Sequence, residues 1–95
     1  GEFISLIKPQ FEAGRDRVGK EGVVRDAQVH LDVVKEILSF IDQDMQWTAQ
    51  DLSFSPIKGP EGNIEFLMHV RKCVQPEGLP QRTIEAVVSK AHESL

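Results

Sequence analysis

Apolar residues open this chain in a near-continuous run, with Phe3, Ile4, Leu6 and Ile7 inside GEFISLI. Continuous rather than alternating apolarity predicts a strand buried on both faces, as in a parallel sheet. Pro9 has no N–H for a ladder and biases Lys8 toward an extended backbone, so the strand should stop there. A polar, glycine-punctuated stretch follows up to Asp26, a residue type suited to a helix N-cap. Val29, Val33, Val34, Ile37, Leu38 and Ile41 then repeat at helical spacing and predict a helix over about 27–43. His30, Asp32, Lys35, Glu36 and Asp42 are assigned to its polar side. WTAQDLSFS (47–55) alternates weakly and predicts a strand with an irregularity near Gln50-Asp51, ended by Pro56. SPIKGPEGN holds two prolines and two glycines and reads as a turn. IEFLMHVRK (64–72) is a second apolar strand, forming an antiparallel hairpin with the one before it. LPQRTIEAVVSKAHESL places Pro80 near N1 of a closing helix, with Ile84, Val87, Val88, Ala91 and Leu95 on one stripe.

The predicted order is β-α-β-β-α. A strand, a crossover helix and a return strand make a right-handed parallel unit, and the last strand then runs antiparallel to the other two. Two α/β architectures fit: a small ferredoxin-like or ligand-sensing module lacking a final strand, and the C-terminal half of a doubly wound sheet. Periodicity does not choose between them. There are 95 residues, enough for one small domain. A composition of 40% hydrophobic and 27% charged residues is that of a globular chain, not of an acidic disordered tail. The formal net charge of -4 argues against indiscriminate nucleic-acid binding while leaving room for a local basic patch. One cysteine, Cys73, gives no disulfide framework and suits a reducing cytoplasm. No stretch approaches the roughly 20 apolar residues that span a bilayer, and GEFISLIK lacks the basic region of a signal peptide. The expectation is a soluble, cytoplasmic domain.

Candidate chemistry gathers where strands end. Lys8 stands at the carboxyl end of the first strand, where open α/β sheets bind ligands. Glu65 stands at the start of the last, and the two could orient each other. Spacing alone favours an exposed salt bridge, a feature of about 0–1 kcal/mol with no function. The loop after Lys8 carries Arg15, Arg17, Lys20 and Arg25, and the turn carries Lys58. Arginines among glycines suit phosphate contacts, and an ordinary solvated loop is the plain alternative. His30, His69 and His92 lie apart in sequence without metal-ligand spacing. His69 reads as a strand side chain satisfied by a neighbour. Trp47 and Phe54 read as core.

The strings LIKPQFEAGRDRVGKEGVVRD and SFSPIKGPEGNIEFLMHV are long and specific. Over roughly residues 3–72 they resemble the C-terminal half of the haemolysin A (TlyA) family of FtsJ-like ribosomal RNA 2′-O-methyltransferases. The resemblance implies a Rossmann-like, S-adenosylmethionine-dependent methyltransferase sheet of which residues 1–95 form the C-terminal part. An S4-like RNA-binding domain and the cofactor-binding half would then lie outside this chain, leaving no cofactor-binding residue here. Of the family's Lys-Asp-Lys-Glu tetrad, the second lysine falls on Lys8 and the glutamate on Glu65. The resemblance further implies ribosomal RNA or a ribosomal subunit as partner, met by Arg15, Arg17, Lys20, Arg25 and Lys58, and inactivity of the chain by itself. A rival reading is a non-enzymatic interaction module that dimerises through an exposed sheet edge. Membrane lysis, suggested only by the family name, lacks a spanning segment or a basic amphipathic helix.

Overall fold

A computed structural model describes residues 1–14, 22–59, 62–73 and 78–95. Three strands, β1 (Glu2–Ile7), β2 (Thr48–Phe54) and β3 (Phe66–Arg71), form one sheet in the order β1-β3-β2. β3 runs antiparallel to both neighbours, as the hairpin and the last-strand direction predict, so β1 and β2 are parallel but separated by β3. The register skips a residue between Ala49 and Asp51, placing a bulge at the irregularity expected near Gln50.

Helix α2 (Ala27–Gln43) has the predicted limits. The Asp26 carboxylate accepts a hydrogen bond from the Gln28 N–H at 2.8 Å, satisfying one of the orphan donors of the first turn. Helix α3 (Gln81–Ser94) starts one residue later than expected, with Pro80 as its N-cap. A further element escaped the sequence reading: Pro9 opens a one-turn helix, α1 (Pro9–Glu12), with Lys8 as N-cap. Glu12 folds back to accept the Lys8 backbone N–H at 3.1 Å. The strand thus turns immediately into a helical turn, and only afterwards into loop.

Ile7, Leu52, Phe66, Met68 and Val70 pack with Val33, Val34, Ile41, Ile84, Val88 and Ala91 into one core. The helices cover this face alone. Ile4 is 71% exposed and Leu6 43%, which corrects the expectation that β1 is buried on both faces. On the open face His69 Nε2 meets Glu2 Oε1 at 2.7 Å, as expected of a satisfied strand histidine. That hydrogen bond first, and the charge of Arg71 next, hold the Glu2 carboxyl below its ordinary pKa.

One histidine expectation also fails. His30 is fully buried, not on the polar side of α2, and His92 lies against it, Nδ1 to Nε2 at 2.6 Å. Trp47 joins the core margin, edge-on to Phe3 at 5.6 Å, as its reading as a packing residue requires. Among the described residues, no helix is long and apolar enough to cross a membrane and no group of three or more acidic, histidine or cysteine side chains could hold a metal.

Candidate active site

The sheet register places the two catalytic candidates. Ile7 stands opposite Phe66 as the last pair of the ladder, and Lys8 and Glu65 are the next residues beyond it on the two strands. On the other side the Ser55 N–H donates to the Glu65 carbonyl at 2.9 Å, extending the β2–β3 ladder into the same row. Lys8, Glu65 and Ser55 therefore form the row just past the sheet, at the carboxyl ends of the parallel strands β1 and β2. Ligands of open α/β sheets bind at this end.

Glu65 is buried, at 6% exposure. A buried carboxylate needs hydrogen-bond partners, and the first is unexpected: Gln10 Nε2 donates to Glu65 Oε2 at 3.0 Å. The carboxylate also lies against Gly59, where an added Cβ would overlap it. Lys8 makes no ion pair with Glu65. Its half-buried side chain instead carries Nζ over the exposed Phe11 ring, 5.6 Å from the centroid. A cation–π contact at an exposed site is worth about 0.5–1 kcal/mol, so the ammonium is easily drawn to a better partner. The expected mutual orientation of Lys8 and Glu65 is therefore absent: Gln10 holds the glutamate and Phe11 carries the lysine.

Asn63 ties the flanking loops together. Its buried amide accepts from the Val24 N–H at 2.9 Å and donates to the Gly22 carbonyl at 3.0 Å, while its own carbonyl accepts from the Gly59 N–H at 2.8 Å. Gly62 closes this turn at φ 85°, a left-handed conformation that glycine adopts without steric cost. Arg25 follows Val24, Lys58 precedes Gly59, and both are exposed, so this clamp brings their two loops to one rim beside Glu65. Arg15, Arg17 and Lys20 lie outside the described residues. A groove of about 570 Å³ between β2 and α3 includes neither Lys8 nor Glu65. Replacing Asn63 with alanine orphans the buried Val24 N–H. It is expected to destabilise the fold by about 1–3 kcal/mol, read as a lower urea midpoint at unchanged m-value.

The profile of the FtsJ-like methyltransferase family spans residues 2–72, and so includes the whole of this row and both loops. The chain belongs to that family. Among relatives of this FtsJ-like chain, Bacillus subtilis (strain 168) YqxC, named as an rRNA methyltransferase, is 47% identical over 99% of the chain. The 16S/23S rRNA (cytidine-2′-O)-methyltransferase TlyA of Mycobacterium tuberculosis is 36% identical over 95% of it. A solved structure of a protein named as a hemolysin from Streptococcus thermophilus superposes with a TM-score of 0.90 at 39% identity, over 99% of this chain and 34% of that one. The fold is therefore a Rossmann-like fragment, which settles the choice of architecture left open by periodicity. The chain spans about a third of the length of the curated relatives it matches, 34% of YqxC and 33% of TlyA.

Proposed function

We propose that this chain is the acceptor-side half of the active site of an S-adenosylmethionine-dependent ribosomal RNA 2′-O-methyltransferase. The observation that carries the reading is the convergence of Lys8 and Glu65 on one row at the carboxyl end of β1, inside the family match. The acceptor chemistry asks for such residues. A ribose hydroxyl is a poor nucleophile until it is oriented and its proton drawn off by a positioned group. Lys8 Nζ leaves the Phe11 ring, gives up a proton to solvent, and as the neutral amine aligns the 2′-oxygen. It takes up the hydroxyl proton as the O–CH₃ bond forms and the S–CH₃ bond of the sulfonium breaks, leaving a neutral thioether. Glu65, held by Gln10, balances the charge that develops on Lys8. Arg25 and Lys58, together with Arg15, Arg17 and Lys20, grip backbone phosphates of ribosomal RNA, and the protein works in the cytoplasm.

S-adenosylmethionine, when bound, supplies an electrophilic methyl group on a sulfonium. The residues present here do not build a cradle for it. No G-x-G-x-x-G run occurs in the sequence, and β1 passes into α1 through Lys8-Pro9 rather than through a glycine turn. Its site belongs to residues outside this chain, and the chain by itself is inactive.

The test is transfer of labelled methyl from S-adenosylmethionine to ribosomal subunits by the full-length protein, followed by alkaline hydrolysis of the RNA. Label in alkali-resistant dinucleotides supports a 2′-O-methyl product. Label in bases, or none with the cofactor bound, contradicts it. A second reading rests on β1, whose outer edge is unpaired in the sheet and whose Ile4 and Leu6 are exposed. Such an edge invites pairing between chains, so residues 1–95 alone should self-associate in light scattering at micromolar concentration. A strict monomer would count against it.

A further inference from the structure

We infer that Gln10 is a positioning residue of the methyl-transfer site, fixing Glu65 against Gly59 and offering its own carbonyl oxygen to a proton donor that enters with the substrate. The inference rests on the proposed role of Glu65 and goes one step past it.

Two observations meet on this side chain. Gln10 Nε2 donates to Glu65 Oε2 at 3.0 Å across 55 residues of sequence. Because a carboxylate only accepts, the amide nitrogen must face Glu65, and this fixes the orientation of the whole amide. The oxygen Oε1 is then buried and, among the described residues, without a hydrogen-bond partner. Buried polar atoms are nearly always satisfied, so an orphaned acceptor two residues from Lys8 marks a place where a donor arrives. The Lys8 ammonium and a ribose hydroxyl are the donors that the reaction brings there.

Gly59 closes the other side. A Cβ at this position would overlap the Glu65 carboxylate, so the carboxylate occupies the space that a side chain would fill. The neighbour that would have to yield is the far end of Glu65, a side chain that can swing away without disturbing the backbone. Gly59→Ala should therefore displace the carboxylate while leaving the fold in place. Gln10 and Gly59 grip one group from two sides, on α1 and on the turn before β3.

The experiment measures steady-state methyl transfer by the full-length protein to ribosomal subunits. It compares wild type, Gln10→Met, Gly59→Ala, Glu65→Gln and the double variant Gln10→Met/Glu65→Gln. Gln10→Met keeps length and removes the amide. It is expected to lower kcat by about 10–100-fold, the usual cost of losing an orienting partner, with KM for both substrates and the thermal midpoint near wild type. A purely structural role would move the midpoint, not kcat alone. Gly59→Ala, with Gln10 intact, should give a loss of the same kind. It carries the test if Gln10→Met does not fold. In the Glu65→Gln background, Gln10→Met should cost nothing further, because groups acting through one another are not additive. A kcat within twofold of wild type for both Gln10→Met and Gly59→Ala, beside an impaired Glu65→Gln, overturns the positioning role and leaves Glu65 standing. Full additivity in the double variant also overturns it. Normal turnover by Glu65→Gln overturns both inferences together.

Discussion

Full-length protein carrying Lys8→Ala is expected to transfer methyl groups about 10²–10⁴-fold more slowly than wild type, the range of a lost general acid–base group. The fold should survive the change. Lys8 is an N-cap that caps through its backbone, not its side chain, and its N–H to Glu12 is untouched by truncation at Cβ. What disappears is the amine and a weak contact with Phe11. Affinity for S-adenosylmethionine should stay near wild type, because the proposed function places the cofactor's site outside this chain. Lys8→Arg is expected to recover little. A guanidinium keeps the charge but does not release its proton at any accessible pH, and its planar fork is not a point donor. Single-turnover rates with labelled cofactor measure the effect, and near-normal rates for Lys8→Ala would remove the lysine from the chemistry.

The second large effect is on stability and depends on pH. His30 is fully buried in the first turn of α2, edge-on to Phe66 at 5.6 Å. Its Nε2 lies 3.1 Å from the Val24 carbonyl. A carbonyl accepts, so Nε2 carries the hydrogen, Nδ1 is the acceptor, and His92 Nε2 donates to it across 2.6 Å. Protonating His30 would set two N–H groups face to face and bury a charge. Burial first, and His92 next, push its pKa from 6.5 down to about 4, against the smaller opposing pull of the Val24 carbonyl and Asp26.

Between those two values the unfolded chain binds the proton that the folded chain refuses. Stability is thus fully present above about pH 6.5 and falls as the pH drops toward 4. At about 1.4 kcal/mol per pH unit the whole effect is on the order of 3 kcal/mol, a large fraction of what a small domain has. Urea unfolding at pH 7 and pH 4.5 should show the drop, and His30→Gln should flatten the dependence. A His30 imidazole that titrates near 6.5 in the folded protein by NMR would refute this.

These two sites show how unevenly the sequence discloses the molecule. The limits of α2, the hairpin, the bulge and the stripe on α3 were legible, because each is written in local spacing. Lys8 and Glu65 were legible as strand-end residues, and their nearness past the last β1–β3 pair follows from register. His30 was misplaced although its spacing to Val34 and Ile41 puts it on the buried stripe. Its polarity masked a position that only His92, 62 residues away, makes tenable. The four residues of α1 are too few for a period to show. β1 looked buried on both faces because continuous apolarity says nothing about which neighbour does the burying. Gln10 and Asn63 carried no signal at all: their partners are reached across 55 and 39 residues, through contacts that exist only once the sheet is formed.

Glu65→Gln asks whether the row past the sheet supplies the acceptor side of methyl transfer. The change keeps the shape and one acceptor oxygen for Gln10, removes the negative charge and turns the other carboxylate oxygen into an N–H donor. The decisive measurement is the single-turnover rate of labelled methyl transfer to ribosomal subunits by full-length Glu65→Gln, with cofactor binding and thermal midpoint measured on the same preparation. A rate at least about 10²-fold below wild type is expected, with cofactor binding and folding preserved. A wild-type rate would contradict it and return Glu65 to the status of a buried structural carboxylate.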